Sequence, residues 1–191
     1  MLEALFSVPR ASFLPATMQA EAGDDCAIPI GYAQTTSQPS LIALMLEALE
    51  LTPDDTVLEI GTGLGYQAAV LARLARHVFS VERMAELAEA ARANLRKENA
   101  GNVEVVTGDG TLGLPGAGPF GAIVVAAAFV SVPEPLSAQL APGGRLVMPL
   151  GNGGGELVKV FEKRGSELAE VRVLCGARFV PLVGVNGFAG P

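Results

Sequence analysis

The stretch Thr56-Val-Leu-Glu-Ile-Gly-Thr-Gly-Leu-Gly-Tyr66 decides the fold of this chain. Its first half, Val57 to Ile60, has the length and apolar character of a short buried strand. Three glycines at alternate positions follow and predict a tight turn, and residues 68–76, rich in Ala, Leu and Arg, predict a helix. A strand, a glycine turn and a helix form the first unit of a nucleotide-binding α/β fold, because glycine lets the backbone approach a ligand without an intervening Cβ.

The spacing of the glycines in the turn distinguishes between classes of nucleotide ligand. The glycines follow a Gly-x-Gly-x-Gly pattern, and Tyr66 stands where a dinucleotide fingerprint has its third glycine. An NAD oxidoreductase is therefore a distant alternative. Glu82 follows Gly61 at the end of the next apolar run, where an acid can bind both hydroxyls of an adenosine ribose. The simpler interpretation, a structural turn followed by a solvated acid, stays open on these residues alone.

The bulk composition excludes several classes of protein. The chain has 191 residues, of which half are hydrophobic and 17% charged, as expected of one well-packed domain. The net charge is −7 and no basic cluster exists, so we expect no nucleic-acid partner. The longest apolar run, residues 122–130, is too short to cross a bilayer. No basic residue precedes Arg10 and the N-terminus has no long apolar core, so we expect no secretory signal. Cys26 and Cys175 lack metal-ligand spacing, so we expect reduced thiols, no metal and a cytoplasmic location.

Helices and strands alternate through the middle of the chain. The predicted helices are 41–50, 84–98 and 133–140, and the predicted strands are 77–82, 103–107, 122–127 and 145–149. This alternation implies an α/β fold with a doubly wound, mostly parallel sheet and right-handed crossovers. Segments 157–161 and 169–174 predict an antiparallel hairpin near the C-terminus.

The N-terminal part has a different composition. Residues 16–31 predict a loop, and the nearly uncharged segment 31–40 carries mainly hydroxyl and amide side chains. Ser37, or Ser40 across the proline, is a candidate cap for the helix that follows. We expect a single domain over 1–191, with an N-terminal helix and substrate loop (1–40), a cofactor-binding core (41–150) and C-terminal strands (151–191).

Three acids are expected at one edge of the sheet, where an open parallel sheet binds its ligand. They are Glu59 before the glycine turn, Glu82 after the second strand and Asp109 after the third. Three carboxylates would repel a pyrophosphate but suit an adenosine attached to a cationic group, such as the sulfonium of S-adenosylmethionine. Asp109 could also accept a hydrogen bond from the adenine amino group. The sequence therefore favours a methyl donor over NAD or ATP.

Nearly the whole chain resembles the protein-L-isoaspartate O-methyltransferases, a family of class I S-adenosylmethionine-dependent methyltransferases. The matching segments are Ser7-Val-Pro-Arg, Phe13-Leu-Pro, Ile28-Pro-Ile-Gly-Tyr-Ala-Gln-Thr-Thr-Ser-Gln-Pro, Val57-Leu-Glu-Ile-Gly-Thr-Gly-Leu-Gly-Tyr-Gln-Ala-Ala, Ser80-Val-Glu-Arg, Gly108-Asp-Gly, Ala126-Ala-Ala, Leu140-Ala-Pro-Gly-Gly-Arg-Leu-Val-Met-Pro-Leu-Gly and Arg178-Phe-Val-Pro-Leu. The resemblance implies methyl transfer from S-adenosylmethionine, leaving S-adenosylhomocysteine, to the free carboxylate of isoaspartyl residues in damaged proteins. The methyl ester then closes to a succinimide, which can reopen to normal aspartate.

The resemblance also assigns roles to individual residues. The implied cofactor-binding residues are Thr35, Thr36, Glu59, Gly61, Gly63, Glu82, Arg83, Asp109 and Gly110. Glu82 would contact the ribose, and Asp109 with Gly110 would lie near the adenine. Ser37 is the implied catalytic residue, and together with Phe179 and Val180 it would contact the substrate peptide.

The expected chemistry needs no general base, because a carboxylate with a pKa near 4 is already ionised at pH 7. We expect Ser37 to orient one carboxylate oxygen, and not to act as a nucleophile, because no His or Lys is placed to activate it. Phe129, where the family usually has proline, is expected to narrow the cleft. Two alternatives remain: another class I methyltransferase with a different substrate, and a module that binds S-adenosylmethionine without turnover.

Overall fold

The structure is a computed structural model and describes residues 1–190. Its strands are β1 (Ile28–Gly31), β2 (Gln34–Thr36), β3 (Thr56–Ile60), β4 (His77–Glu82), β5 (Val103–Thr107), β6 (Phe120–Val125), β7 (Leu140–Leu150), β8 (Glu156–Arg164) and β9 (Glu167–Ala177). Its α-helices are α1 (Leu2–Ser7), α2 (Pro39–Glu47), α3 (Tyr66–Leu71), α4 (Ala85–Lys97) and α5 (Glu134–Gln139). Short 3₁₀ helices cover Arg10–Phe13, Ala16–Glu21 and Gly110–Leu112. No helix within these 190 residues has the length and apolar character needed to span a membrane.

A seven-stranded sheet organises the molecule in the order β5-β4-β3-β6-β7-β8-β9. The first five strands of this order pair in parallel, and β8 and β9 add an antiparallel hairpin at one edge. The chain moves outward from β3 to β5 and then returns to place β6 on the other side of β3. This reversal creates a crevice beyond the carboxyl ends of β3 and β6. The predicted doubly wound sheet and C-terminal hairpin are confirmed.

Burial on both faces explains why β3 carries the apolar side chains of Val57, Leu58 and Ile60. Val57 packs into the hydrophobic cluster that contains α2 and α3, whereas Leu58 and Ile60 pack into the cluster on the opposite face. Neighbouring strand residues point to opposite faces, so a central parallel strand covered on both sides favours apolar side chains on both of its faces. Its carboxyl end is therefore held rigidly where the glycine turn begins.

The boundaries of two helices differ from the prediction. Helix α3 ends at Leu71, five residues earlier than expected, and the side chain of Asn102 donates to the carbonyls of Ala72 and Ala75 beyond it. Helix α2 begins at Pro39, with no side-chain cap from Ser37 or Ser40. The predicted cap is wrong: Asp25, fifteen residues upstream, accepts the backbone N–H of Ser40 at 2.8 Å. A carboxylate from the preceding loop therefore takes the place of a local hydroxyl.

Two short strands precede α2: β1 at the end of the predicted loop 16–31, and β2 in the segment that follows it. β1 and β2 pair antiparallel, with Ile28 opposite Thr36 and Pro29 opposite Thr35. Tyr32 and Ala33 form the turn with φ angles of +54° and +56°. A two-residue turn with both φ values positive usually selects Asn or Gly, so this turn carries no local sequence signal. The hairpin directs the segment after Gln34 towards the crevice.

Candidate functional site

A cleft of about 360 Å³ opens at the carboxyl ends of β3 and β4. The glycine turn forms its floor, the β1–β2 hairpin one wall, and the segment 180–183 another. The predicted site residues that line it are Thr35, Thr36, Ser37, Gly61, Gly63, Glu82, Arg83, Gly110 and Val180. Most of the residues singled out in the sequence therefore meet in one place, although they come from five separate segments.

The glycine turn presents backbone to this cleft. Gly61 and Gly63 have φ angles of +94° and +57°, which side chains rarely adopt. The N–H of Gly61 donates to the carbonyl of Val81 at 2.9 Å, which ties the turn to β4. A Cβ at Gly63 would lie 3.1 Å from the side chain of Ile30 on β1. The absence of side chains thus lets the hairpin approach the turn and leaves the cleft narrow.

Glu82 braces the turn from the end of β4. Its side chain is 6% exposed, and its two carboxylate oxygens accept the N–H groups of Gly63 at 2.9 Å and Met84 at 3.0 Å. A carboxylate has about four acceptor positions, so two remain for ligand hydroxyl groups. Glu82 can therefore hold the turn and bind a diol at the same time.

Glu59 does not line the cleft. Its side chain is fully buried, and the hydroxyl of Ser80, which also contacts Thr62, donates to its carboxyl group. Burial raises the pKa of Glu59 to about 8, against the opposing effect of the Ser80 hydrogen bond, so the group is largely protonated at neutral pH. The prediction that Glu59 is an ionised acid at the ligand edge is wrong, because the side chain packs beneath the glycine turn.

Asp109 is turned away from the cleft, whereas Gly110 lines it. One carboxylate oxygen of Asp109 accepts the N–H and hydroxyl of Thr111 at 2.8 and 2.7 Å, and the other accepts the N–H of Val185 at 2.8 Å. Burial acts to raise the pKa of Asp109, but these hydrogen bonds and the charge of Arg83 together lower it. Asp109 is therefore ionised and anchors the C-terminal segment, and its contact with adenine stays a prediction.

A second cavity, of about 550 Å³, adjoins the cleft. The two cavities share Thr35, Ser37, Ala126 and Val180, so these residues form the partition between them. The hydroxyl of Ser37 makes no hydrogen bond to any of residues 1–190, although its backbone carbonyl is bound. Ser37 thus offers a free donor at the junction of two cavities.

The backbone of Ser37 is held from behind by Arg10, which sequence reasoning missed. Arg10 is 5% exposed, and its guanidinium donates to the carbonyls of Ser37 at 3.1 Å, Cys26 at 2.8 Å and Asp24 at 2.9 Å. It forms no ion pair with a described carboxylate. Arg10 lies in the Ser7-Val-Pro-Arg motif, the only sequence signal that it serves the site.

The segment 179–182 is fixed at both ends. The N–H of Phe179 donates to Glu156, which is 2% exposed, at 3.0 Å, and the carbonyl of Val180 accepts the N–H of Ala128 at 2.8 Å. Val180 lines both cavities and Phe179 lines only the second. The backbone N–H of Phe179 is thus already used inside the protein, and the predicted contacts of these two residues with a peptide stay a prediction.

Two further residues revise the sequence-based picture of the cleft. Gln67, at the start of α3, is 8% exposed and lines the cleft, and its buried Nε2 atom lies on the side of the Glu59 carboxyl group, where the Gln67 side chain acts to lower the pKa of Glu59. Its position directly after Tyr66 of the motif was the available signal. Phe129 lines neither cavity and stacks edge-on against Phe188, with ring centroids 4.9 Å apart. The expectation that it narrows the cleft is wrong.

Comparison with known proteins identifies one family. The family model for protein-L-isoaspartate(D-aspartate) O-methyltransferase matches residues 1–187. A protein-L-isoaspartate O-methyltransferase of Methanoregula boonei is 48% identical over 188 residues, which cover 98% of this chain and 86% of the relative.

Solved structures agree in fold. A structure named protein-L-isoaspartate O-methyltransferase superposes with a TM-score of 0.86 at 33% identity, covering 96% of this chain and 61% of that one, which is the longer. A Plasmodium falciparum structure, described as such an enzyme in complex with S-adenosyl-L-homocysteine, has a TM-score of 0.83 at 22% identity, covering 95% of this chain and 88% of that one. The second likeness concerns the fold alone.

Proposed function

Because the chain belongs to the protein-L-isoaspartate(D-aspartate) O-methyltransferase family, we propose that it transfers a methyl group from S-adenosylmethionine to the free carboxylate of L-isoaspartyl residues in damaged proteins and peptides. The observation that carries this proposal is the partition: a cofactor-sized cleft and a second cavity meet at Ser37. Two reactants held in adjoining cavities that meet at Ser37 can be brought into direct contact without diffusing apart.

The cleft fits S-adenosylmethionine. Gly61, Gly63 and Gly110 offer backbone without side chains, and a methyl group at Gly110 would overlap the side chain of Ile60. Glu82 has two free acceptor positions for the ribose hydroxyls. Bound there, the cofactor supplies an electrophilic methyl group.

The chain itself needs only to orient the substrate carboxylate. That carboxylate is ionised at neutral pH, so no base has to remove a proton. The one histidine, His77, begins β4 at the end of the strand opposite Glu82 and so lies away from the cleft. The free Ser37 hydroxyl donates to one carboxylate oxygen while the other stays unbound and nucleophilic. Holding the reacting atoms in line is the main catalytic effect.

The second cavity receives the polypeptide on either side of the isoaspartyl residue. Phe179 and Val180 border it on a segment that Glu156 and Ala128 hold rigid. We propose isoaspartyl-containing proteins as the partners of the enzyme and the cytoplasm as its compartment, where the free thiols Cys26 and Cys175 would stay reduced.

The test is methyl transfer from labelled S-adenosylmethionine to two peptides that differ only in an isoaspartyl or a normal aspartyl linkage. Base-labile label on the isoaspartyl peptide alone is the expected result. Label on another atom or another substrate would favour a different class I methyltransferase. Cofactor binding in calorimetry with no transfer to either peptide would favour a binding module without turnover.

A further inference from the structure

One charged side chain lines the second cavity. Arg178 borders it, and all the other lining residues are uncharged. Arg178 is exposed and forms no hydrogen bond or ion pair with residues 1–190. An unpaired guanidinium in a groove without other charges sets the sign of the potential that a bound peptide meets.

The acids near this groove do not neutralise Arg178. Glu156 is 2% exposed, and its two oxygens accept the N–H groups of Phe179 and Gly153. One oxygen of Asp25 accepts the N–H of Ser40, which lines the groove. Both oxygens of Glu156 and one of Asp25 therefore bind backbone donors, and neither carboxylate forms an ion pair with Arg178.

The net negative charge of the chain increases the effect of Arg178 on which peptides bind. The chain carries a net charge of −7, so an acidic polypeptide approaching it is repelled on average. A guanidinium binds carboxylates with paired, directional hydrogen bonds, which makes Arg178 a specific partner as well as a charge. The isoaspartyl carboxylate itself belongs at Ser37, so Arg178 is free for a second carboxylate.

We propose that Arg178 is a specificity-determining residue that favours isoaspartyl segments with a second acidic side chain close to the isoaspartyl residue. The proposal rests on the proposed function, because it assigns the second cavity to the substrate polypeptide. Arg178 contacts the flanking sequence and not the reacting carboxylate, so it changes the choice of substrate and leaves the chemical step unchanged.

The experiment compares isoaspartyl peptides that carry Glu, Gln or Lys two residues before, or two residues after, the isoaspartyl linkage. In the parent enzyme, kcat/KM for the Glu peptide should exceed that for the Lys peptide about three- to tenfold in at least one series, as expected for a partly exposed ion pair. The difference should lie in KM and shrink at high salt. Arg178→Ala should abolish the preference, and Arg178→Glu should reverse it.

The matched control is Arg172→Glu, which makes the same charge change at an exposed position of β9 outside both cavities. It should keep the preference for the Glu peptide. Equal kcat/KM for the three peptides in the parent enzyme, or an equal loss of preference in both arginine variants, overturns the role of Arg178. Methylation of no isoaspartyl peptide would instead contradict the proposed function, so the two failures are distinguishable.

Discussion

Replacing Arg10 tests whether the site depends on a contact that lies behind it. Arg10→Met keeps the length and apolar stem of the side chain but removes the guanidinium that binds the carbonyls of Asp24, Cys26 and Ser37. Arg10→Lys restores a positive charge with fewer directed donors. The pair of variants therefore separates the charge from the three hydrogen bonds.

The magnitude follows from these contacts. Hydrogen bonds that involve a charged group contribute about 1.5–3 kcal/mol each, so three at the lower value amount to about 4.5 kcal/mol. Two terms reduce this sum: water can solvate the carbonyls of the exposed residues Asp24 and Cys26, and burial of an unpaired guanidinium is itself unfavourable. We expect Arg10→Met to lower the free energy of unfolding by about 2–4 kcal/mol. Arg10→Lys should fall between this variant and the parent.

The assay combines urea unfolding, calorimetry and turnover of an isoaspartyl peptide. In the folded fraction of Arg10→Met, we expect the Kd for S-adenosylmethionine to stay within about twofold, because the glycine turn and Glu82 are untouched. The kcat should fall at least about tenfold, since a displaced Ser37 no longer orients the carboxylate. Arg73→Met is the control: Arg73 is exposed and makes one carbonyl contact, with Glu98 at 3.3 Å. Loss of stability within about 0.5 kcal/mol, together with normal kcat in Arg10→Met, would refute the reasoning.

Three further outcomes are expected. Ser37→Ala should keep the melting temperature and cofactor affinity of the parent, because the Ser37 hydroxyl makes no internal hydrogen bond, while kcat falls about 10- to 100-fold. Unchanged turnover in steady-state kinetics would remove Ser37 from the mechanism. Glu82→Ala should weaken cofactor binding in calorimetry by at least about 1 kcal/mol, and an unchanged Kd contradicts its ribose contact. The folded-state pKa of Glu59, about 8, lies above its unfolded value of 4.5, so the native state binds the extra proton and stability falls as the pH rises from 5 to 8. Glu59→Gln should remove this decline, as measured by the free energy of unfolding from urea titrations at pH 5 and pH 8. A variant that loses as much stability between these pH values as the parent would disprove it.

Much of the cofactor cleft could be predicted because its signals are local. Gly61 and Gly63 follow directly on a buried strand, and Glu82 ends the next one. Parallel strands bring their carboxyl ends to one edge, so residues at the ends of successive strands meet without any knowledge of long-range contacts. The alternation of strands and helices predicted the doubly wound sheet, and two apolar segments around a turn predicted the hairpin at its edge.

The acids at that edge show where this logic stops. Glu59 precedes the glycine turn by two residues, and its place in the sequence suggests a charged group beside the ligand. Whether a carboxyl group is charged depends on its solvation, and Ser80 from the neighbouring strand and the surrounding core decide that. Asp109 likewise turns towards Val185, 76 residues away, which no local pattern could indicate.

The sequence by itself determined the strand, the glycine turn and the doubly wound, mostly parallel character of the sheet, because hydrophobic period and glycine spacing act between neighbouring residues. Only the tertiary structure decided that Arg10 holds Ser37, that Asp25 caps α2 and that Glu59 is protonated. Each of these depends on segments that are distant in the chain and become neighbours only when the sheet and its loops have packed. Local chemistry thus predicts what borders the cleft, and the folded chain decides how its residues are held and charged.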